Sequence, residues 1–241
     1  MKINGIDVRK YGARQHHVEI GHQSMKFSNE WNAGSVLPYM GICRAGFKTL
    51  AVKLVMKGKT REAIIRNRSE LLGLFTKPAT IELKGNPHHF YGVLKSHKET
   101  EINQRTWHNM ELSIDCYEYG DDITESGARS IEVNNPGSAV SPCLVTITPT
   151  VSAEEIILTG ICINPVTGED VPVIITDITE RCVIRLDGIS GLITQTNAAG
   201  TRTELKEIDM WELPALNPGV TTVECNNSLM AVDVTVRPVY M

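Results

Sequence analysis

Histidine doublets are the first residues here that invite a chemical reading, because imidazole serves both as a metal ligand and as an acid–base group near neutral pH. His16-His17 with His22, and His88-His89, come nearest to ligand clusters. Adjacent residues of a strand point to opposite faces, so neither doublet makes a bidentate site by itself. His97 and His108 could lie across from one another on a hairpin whose register permits it, which would supply half of a metal site at most. Asp177 and Asp187 flank an apolar run and could form the carboxylate pair that hydrolysis uses, although both also suit turns. Arg61, Arg66 and Arg68 fall within one helical stretch and could grip phosphate. No glycine-rich or aromatic partner accompanies them, so a solvated face accounts for them better. No G-x-S-x-G, H-E-x-x-H, P-loop or dinucleotide fingerprint occurs, and the sequence is expected to hold no catalytic, metal or cofactor-binding residues.

Cys43, Cys116, Cys143, Cys162, Cys182 and Cys225 are scattered without a C-x-x-C pair, so buried free thiols are expected instead of zinc or disulfides. Asn226-Asn227-Ser228 fits a glycosylation sequon, which has meaning only in a secreted chain. Trp211, in Asp209-Met210-Trp211-Glu212-Leu213-Pro214, has two readings. Exposed, it could stack on a sugar ring; buried, it would plug the open end of an apolar core.

The elements that must position these residues are mostly strands. Around Asn4-Gly5, Ile3 to Val8 reads as a hairpin entry, and Leu50, Val52, Leu54 and Met56 share one face at a period of two. The one helix is expected over about 60–76. Thr60 would cap it, Ile64, Ile65, Leu71, Leu72 and Phe75 would form its apolar stripe, and Pro78 would end it. Ala79 to Leu83, His89–Glu99 and Trp107–Tyr117 are strands, the last two a long hairpin joined by polar 101–106. Within it Met110, Leu112, Ile114 and Cys116 alternate with polar residues, the pattern of an antiparallel sheet with one wet face. From Pro142 onward seven strands are expected, near 144–148, 156–163, 171–178, 182–186, 192–195, 221–224 and 229–239. Asn164-Pro165-Val166-Thr167-Gly168, Asp187-Gly188 and Asn217-Pro218-Gly219 are among the turns between them, and the spacing suggests a β-sandwich. Ser152-Ala153-Glu154-Glu155 has the form of a helix capping box, but the β-rich run after it argues for a strand.

The chain has 241 residues, 41% of them apolar, with a net charge of −4. That composition excludes a disordered chain, and the mild charge gives no sign of a nucleic-acid partner. No stretch approaches the ~18 apolar residues of a membrane span, and the opening residues lack the apolar core of a secretion signal, so manufacture in the cytoplasm is expected. The charge is unevenly divided: residues 1–130 hold 19 Lys+Arg against 14 Asp+Glu, and the rest hold 5 against 14. Two domains are expected, 1–130 and 138–241, with a linker over about 125–138 that is rich in turn formers.

In the order of its motifs the sequence resembles the distal tail proteins (Dit) of long-tailed, non-contractile phages. The resemblance spans nearly the full chain. It rests on Ile3-Asn4-Gly5-Ile6-Asp7, on the block Phe47 to Phe75, and on the strand and hairpin region Pro78–Tyr119. In the second half it rests on Arg185-Leu186-Asp187-Gly188, on Leu213-Pro214-Ala215-Leu216-Asn217-Pro218-Gly219, and on Val232-Asp233-Val234-Thr235-Val236-Arg237.

The resemblance implies a mainly β (α+β) fold: an N-terminal belt domain with one helix and a long hairpin, then a C-terminal galectin-like sandwich. It implies a homo-hexameric ring at the virion tail tip, with no catalytic residues and no cofactor. The implied partners are the major tail tube protein, the tape measure protein, the tail-associated hub or lysin protein and a receptor-binding protein, with DNA passing through the channel and no membrane contact. The sandwich half lacks the His, Asn, Arg and Trp cluster of a galectin sugar site. The alternative function is adhesion to host cell-wall polysaccharide, through Trp211. Because clustered Lys and Arg would hold DNA phosphate, the basic residues of the first half are expected to face ring partners or solvent instead of the channel.

Overall fold

The structure, a computed structural model, describes residues 1–23, 25–30, 39–102, 106–164 and 167–241, with backbone alone for 25–30 and 39–45. The chain divides into two compact units, Met1–Tyr119 and Gly120–Tyr240.

Chain order in the first unit is β1 (Lys2–Ile3), β2 (Ile6–Asp7), a 3-10 turn (Val8–Tyr11), β3 (Ala13–Ile20), β4 (Met25–Glu30), β5 (Tyr39–Ala45), β6 (Lys48–Lys57), α1 (Arg61–Gly73), β7 (Ala79–Glu82), β8 (His89–Glu101) and β9 (Trp107–Tyr119). One antiparallel sheet runs β2-β1-β7-β8-β9-β6-β3, and β4 pairs with β5 apart from it. Asn4 and Gly5, both at positive φ, form the tight turn that twists β1 back onto β2. The 3-10 turn begins where Asp7 accepts the Arg9 N–H at 2.9 Å and ends at Gly12, φ +68. A Cβ on Gly12 would lie 2.4 Å from the Lys57 carbonyl, so only glycine lets β3 pass that close to β6.

Alternation on β6 and β9 builds the core of this unit. Leu50, Val52 and Leu54 lie opposite Ile114, Leu112 and Met110, and all six are buried. Phe90, Ile81, Ile64 and Leu71 complete the same core. The helix forms where expected at its start, with Thr60 Oγ1 accepting the Ala63 N–H at 3.2 Å. Its end differs: regular structure stops at Gly73, five residues before Pro78, and Leu74 and Phe75 donate to the carbonyls of Leu71 and Leu72 in tighter i→i−3 bonds. Ile65, assigned by spacing to the apolar stripe, is 43% exposed, because only the Ile64 and Leu71 side of the helix meets the sheet. Of the polar hairpin connection, residues 103–105 lie outside the described residues.

The second unit contains β10 (Ile123–Gly127), β11 (Ser130–Asn135), β12 (Ser141–Pro149), β13 (Ala153–Thr159), β14 (Val173–Ile178), β15 (Val183–Asp187), β16 (Leu192–Thr196), β17 (Arg202–Glu204), β18 (Ile208–Asp209), β19 (Ala215–Leu216), β20 (Gly219–Cys225) and β21 (Met230–Val236). One sheet runs β10-β21-β12-β15-β16-β17, and the other β11-β20-β13-β14-β18. Val145, Ile147, Ile184 and Val234 of the first pack with Val133, Ile156, Leu158, Val173 and Val223 of the second in one core, which makes the unit a β-sandwich.

The stretch read as a linker belongs to this sandwich. β10 pairs with β21 and β11 with β20, and Ile131, Val133 and Asn135 are buried in alternation. The turn formers at 134–138 serve a local network instead of a flexible join. Asn135 donates to the carbonyls of Leu216 at 3.1 Å and Ala139 at 3.3 Å, and accepts from Gly137 N–H and the Ser141 hydroxyl. The division falls at Tyr119/Gly120, so the boundary at 130 and the linker over 125–138 are corrected. Ala153–Thr159 is strand and not helix, and Ser152 Oγ accepts from the Glu180 N–H at 3.0 Å. Pro165 and Val166 of the expected turn at 164–168 lie outside the described residues.

Candidate functional site

The residues singled out for chemistry are dispersed. On the hairpin His97 lies opposite Leu112, and His108 opposite Glu101, so the His97–His108 pair does not form. The strands stay paired to the end of β8, so the register that sets Glu101 against His108 carries His97 four residues further along; a bulge on β8 falls beyond both, between Leu94 and Ser96. A second bulge, between Gln15 and His17 on β3, falls at the first histidine doublet, and His17 Nε2 lies 3.0 Å from Glu19. Asp177 is on β14 and Asp187 ends β15, in different sheets. Burial works against the charge of Asp187, but hydrogen bonds from Ser190 and from the Ile189 N–H outweigh it and hold the carboxyl below its ordinary value. Asp187 is thus a turn cap. Asn226 Oδ1 accepts the Ile157 N–H at 3.0 Å. Among the described residues no group of three His, Cys, Asp or Glu is placed to hold a metal ion.

Cys116, Cys143, Cys162, Cys182 and Cys225 are free and buried, and burial raises the thiols of Cys116 and Cys143 to about 11 and about 12. The side chain of Cys43 lies outside the described residues. Trp211 does not plug the sandwich: it is 68% exposed, while its neighbour Met210 packs against the core. Its loop is fixed from behind, where the Glu212 N–H and the Cys162 thiol are 3.3 Å apart.

What the structure does bring together is a set of charged pairs, some buried, that fix the hairpin, and, among the described residues, two strand edges left open. Arg61 and Arg66 are exposed, as a solvated face requires, and Arg61 lies 3.5 Å from Glu101; Arg68 departs from that face, being half-buried and paired with Glu99. The other Glu99 oxygen is 2.5 Å from His108 Nδ1, and His108 Nε2 is buried without a partner. Helix α1 is therefore tied to β8 and β9 through one carboxylate. At the opposite end of the hairpin Glu118 accepts from Lys48 at 2.6 Å, and its second oxygen is 2.6 Å from His88 Nδ1. Burial disfavours the charge of Glu118, but the hydrogen bonds from Lys48 and His88 win and lower its pKa. Spacing alone missed these groups because each pair joins residues 9 to 70 positions apart.

The open edges are backbone features. β7 pairs with β8 only from His89 to Gly92, so Val93–Glu101 has no strand on the side opposite β9 among the described residues. Among the described residues β3 ends the sheet on its other side. Unpaired N–H and C=O groups on such edges can take a strand from another chain. Each edge carries one bulge, and β8 adds Lys95 and Lys98, devices that limit indiscriminate pairing.

No protein-family model matches this sequence, and no curated protein matches it significantly. Solved structures do match the fold. The crystal structure of the SPP1 Dit protein, described as a paradigm of the hub adsorption apparatus in Gram-positive-infecting phages, matches with a TM-score of 0.71 at 17% identity, covering 98% of this chain and 97% of that one. A chain of the phage p2 baseplate in its activated conformation with Sr gives 0.56 at 10% identity, covering 96% and 92%. A chain of the same baseplate with Ca gives 0.51 at 11% identity, covering 92% and 90%. The mainly β fold expected from the sequence is thus found over almost the whole length of proteins from phage baseplates.

Proposed function

We propose that this chain is a structural protein of a phage tail tip, where copies of the first unit close into a hexameric ring between the tail tube and the tip hub. The single observation that carries this reading is the match to SPP1 Dit across 98% of the chain, which takes in both units and not a sandwich alone. Under this reading the second unit is a galectin-like sandwich outside the ring. The neighbours are the major tail tube protein, the tape measure protein, the tail-associated hub or lysin protein and a receptor-binding protein, and DNA passes through the channel. The work is done by shape instead of bond-making. The open edges of β3 and β8 support a contact of this kind, since a ring needs two different surfaces that meet under a fixed rotation. Light scattering of the purified protein with negative-stain imaging tests it. Sixfold rings are expected, and antibody label on virions should fall at the distal end of the tail. Label elsewhere, or robust turnover of a substrate, would overturn it.

A second reading, adhesion to cell-wall polysaccharide by the second unit, is favoured by one observation, the exposed Trp211 on its fixed loop. Wall polysaccharide would then bind the full chain and be lost with Trp211→Ala; absence of binding by the unmodified chain ends that reading.

A further inference from the structure

Unbalanced positive charge gathers on the first unit at the corner where the 3-10 turn enters β3. Arg9 and Arg14 stand between two adjoining hollows. One, of about 350 Å³, also presents Lys57 and Trp107; the other, of about 320 Å³, adds Gln15, Lys84 and Asp7. Four cations therefore share the corner with one carboxylate, and that carboxylate is already engaged. Asp7 accepts the Arg9 N–H at 2.9 Å and lies 3.4 Å from its guanidinium. Even so, the Arg9 side chain is 70% exposed. Among the described residues no carboxylate pairs with Arg14, Lys57 or Lys84. Lys57 instead sits 4.9 Å from the centre of the Trp107 ring.

Like charges gathered around a hollow repel one another and concentrate a potential that favours an anion. The complement is carried by the chain itself. Residues 1–119 hold 18 Lys+Arg against 11 Asp+Glu, and residues 120–241 hold 6 against 17. On the second unit Glu154, Glu155, Asp177 and Glu180 are exposed, and Glu154 and Asp177 line a hollow of about 390 Å³. Nucleic acid fits the corner less well. Trp107 is half-buried and carries Lys57 on its face, which leaves no platform for a base, and hollows of this size admit a side-chain carboxylate but not a duplex.

We propose that the Arg9–Arg14–Lys57–Lys84 corner docks the acidic surface around Glu154 and Asp177 on the second unit of a neighbouring copy, a charge-complementary contact made beside the first-unit contacts that close the ring. This rests on the ring reading and deepens it by naming a second pair of differing surfaces through which neighbouring copies brace one another. It also gives the basic residues of the first half a place on ring partners.

The test uses the full chain with p-benzoylphenylalanine at position 14, assembled from a mixture of ¹⁵N-labelled and unlabelled copies. Photocrosslinks are expected from residue 14 to peptides of residues 120–241 in a differently labelled copy. Reversing charge with Arg9→Glu and Arg14→Glu together should weaken assembly at least ~tenfold and flatten its salt dependence, with circular dichroism confirming that the variant folds. Lys77→Glu, an exposed reversal elsewhere, should leave assembly unchanged. The two readings fail differently. Rings whose residue 14 crosslinks to a neighbour's first unit, or rings that survive the double reversal, overturn the docking surface and leave the ring standing. A chain that stays single at every concentration removes both. Binding of a duplex oligonucleotide that is lost on double reversal would give the corner to nucleic acid and overturn the proposal.

Discussion

At the scale of single residues the chemistry is that of buried charge used for position. Lys48 and Glu118 are 6% and 9% exposed, and each is tolerated only because the other, with His88, satisfies it. Lys48→Met should therefore cost about 3 kcal/mol by leaving the buried Glu118 with His88 as its remaining partner, and Lys48→Met with Glu118→Leu should recover much of that loss in urea unfolding. The pH dependence has a definite sign. The carboxyl of Glu118 is held below its ordinary 4.5, so its contribution is complete above that value and is lost as pH falls through the lower folded-state pKa. Glu118→Gln should be less stable at pH 7 and should lose less stability on acidification below 4.5, by the same measurement. The thiols follow the same logic in reverse. Cys116 and Cys143, at about 11 and about 12, stay protonated, so iodoacetamide at pH 8 should leave both unlabelled until denaturant is added, as read by peptide mass spectrometry.

At the scale of elements the helix and the hairpin act as one part. Only Ile64 and Leu71 of α1 are fully buried, a thin apolar seam for a helix of 13 residues. The pairing of Arg68 with Glu99, and of Arg61 with Glu101, supplies the remaining tie and fixes the hairpin beyond the reach of β7. Arg68→Ala should cost about 1–3 kcal/mol, and hydrogen exchange should quicken around Glu99–Glu101 and Trp107–Asn109 while β6 stays protected. Thr60→Ala removes a cap and should cost about 1 kcal/mol, without the local exchange signature at the hairpin. An element whose outer edge is open must be held in place by something other than its neighbour strand, and these charges do so.

At the scale of the whole molecule there are two separate cores. Phe90 with its neighbours fills the first, and Val145, Ile147, Val232 and Val234 are among the residues of the second. Phe90→Ala should cost about 3–5 kcal/mol and lower only the calorimetric transition of the first unit, whereas Val234→Ala should lower only that of the second. A single transition displaced equally by both would show the cores to be coupled. The opposed charges of the two units belong to this scale too, since they govern how copies attract and not how either unit folds.

What the amino-acid order fixes unaided is whatever depends on near neighbours. The alternation of Leu50, Val52, Leu54 and Met56, the cap at Thr60, the turn at Asn4-Gly5 and most sandwich strands follow from local periodicity and backbone preference, and each is where that reading puts it. Tertiary structure alone decides what depends on register and on distant partners. Hairpin register puts His97 opposite Leu112 and His108 opposite Glu101, the Arg68–Glu99–His108 tie joins three elements, and Asn135 turns a loop-like stretch into part of a sandwich through bonds to Leu216 and Ser141. Of the two readings of Trp211 the exposed one holds, while its neighbour Met210 packs against the sandwich core. The reason is common to all of them: local sequence sets the conformation of each segment, but which groups come within a few ångströms is set by how the segments pair and pack.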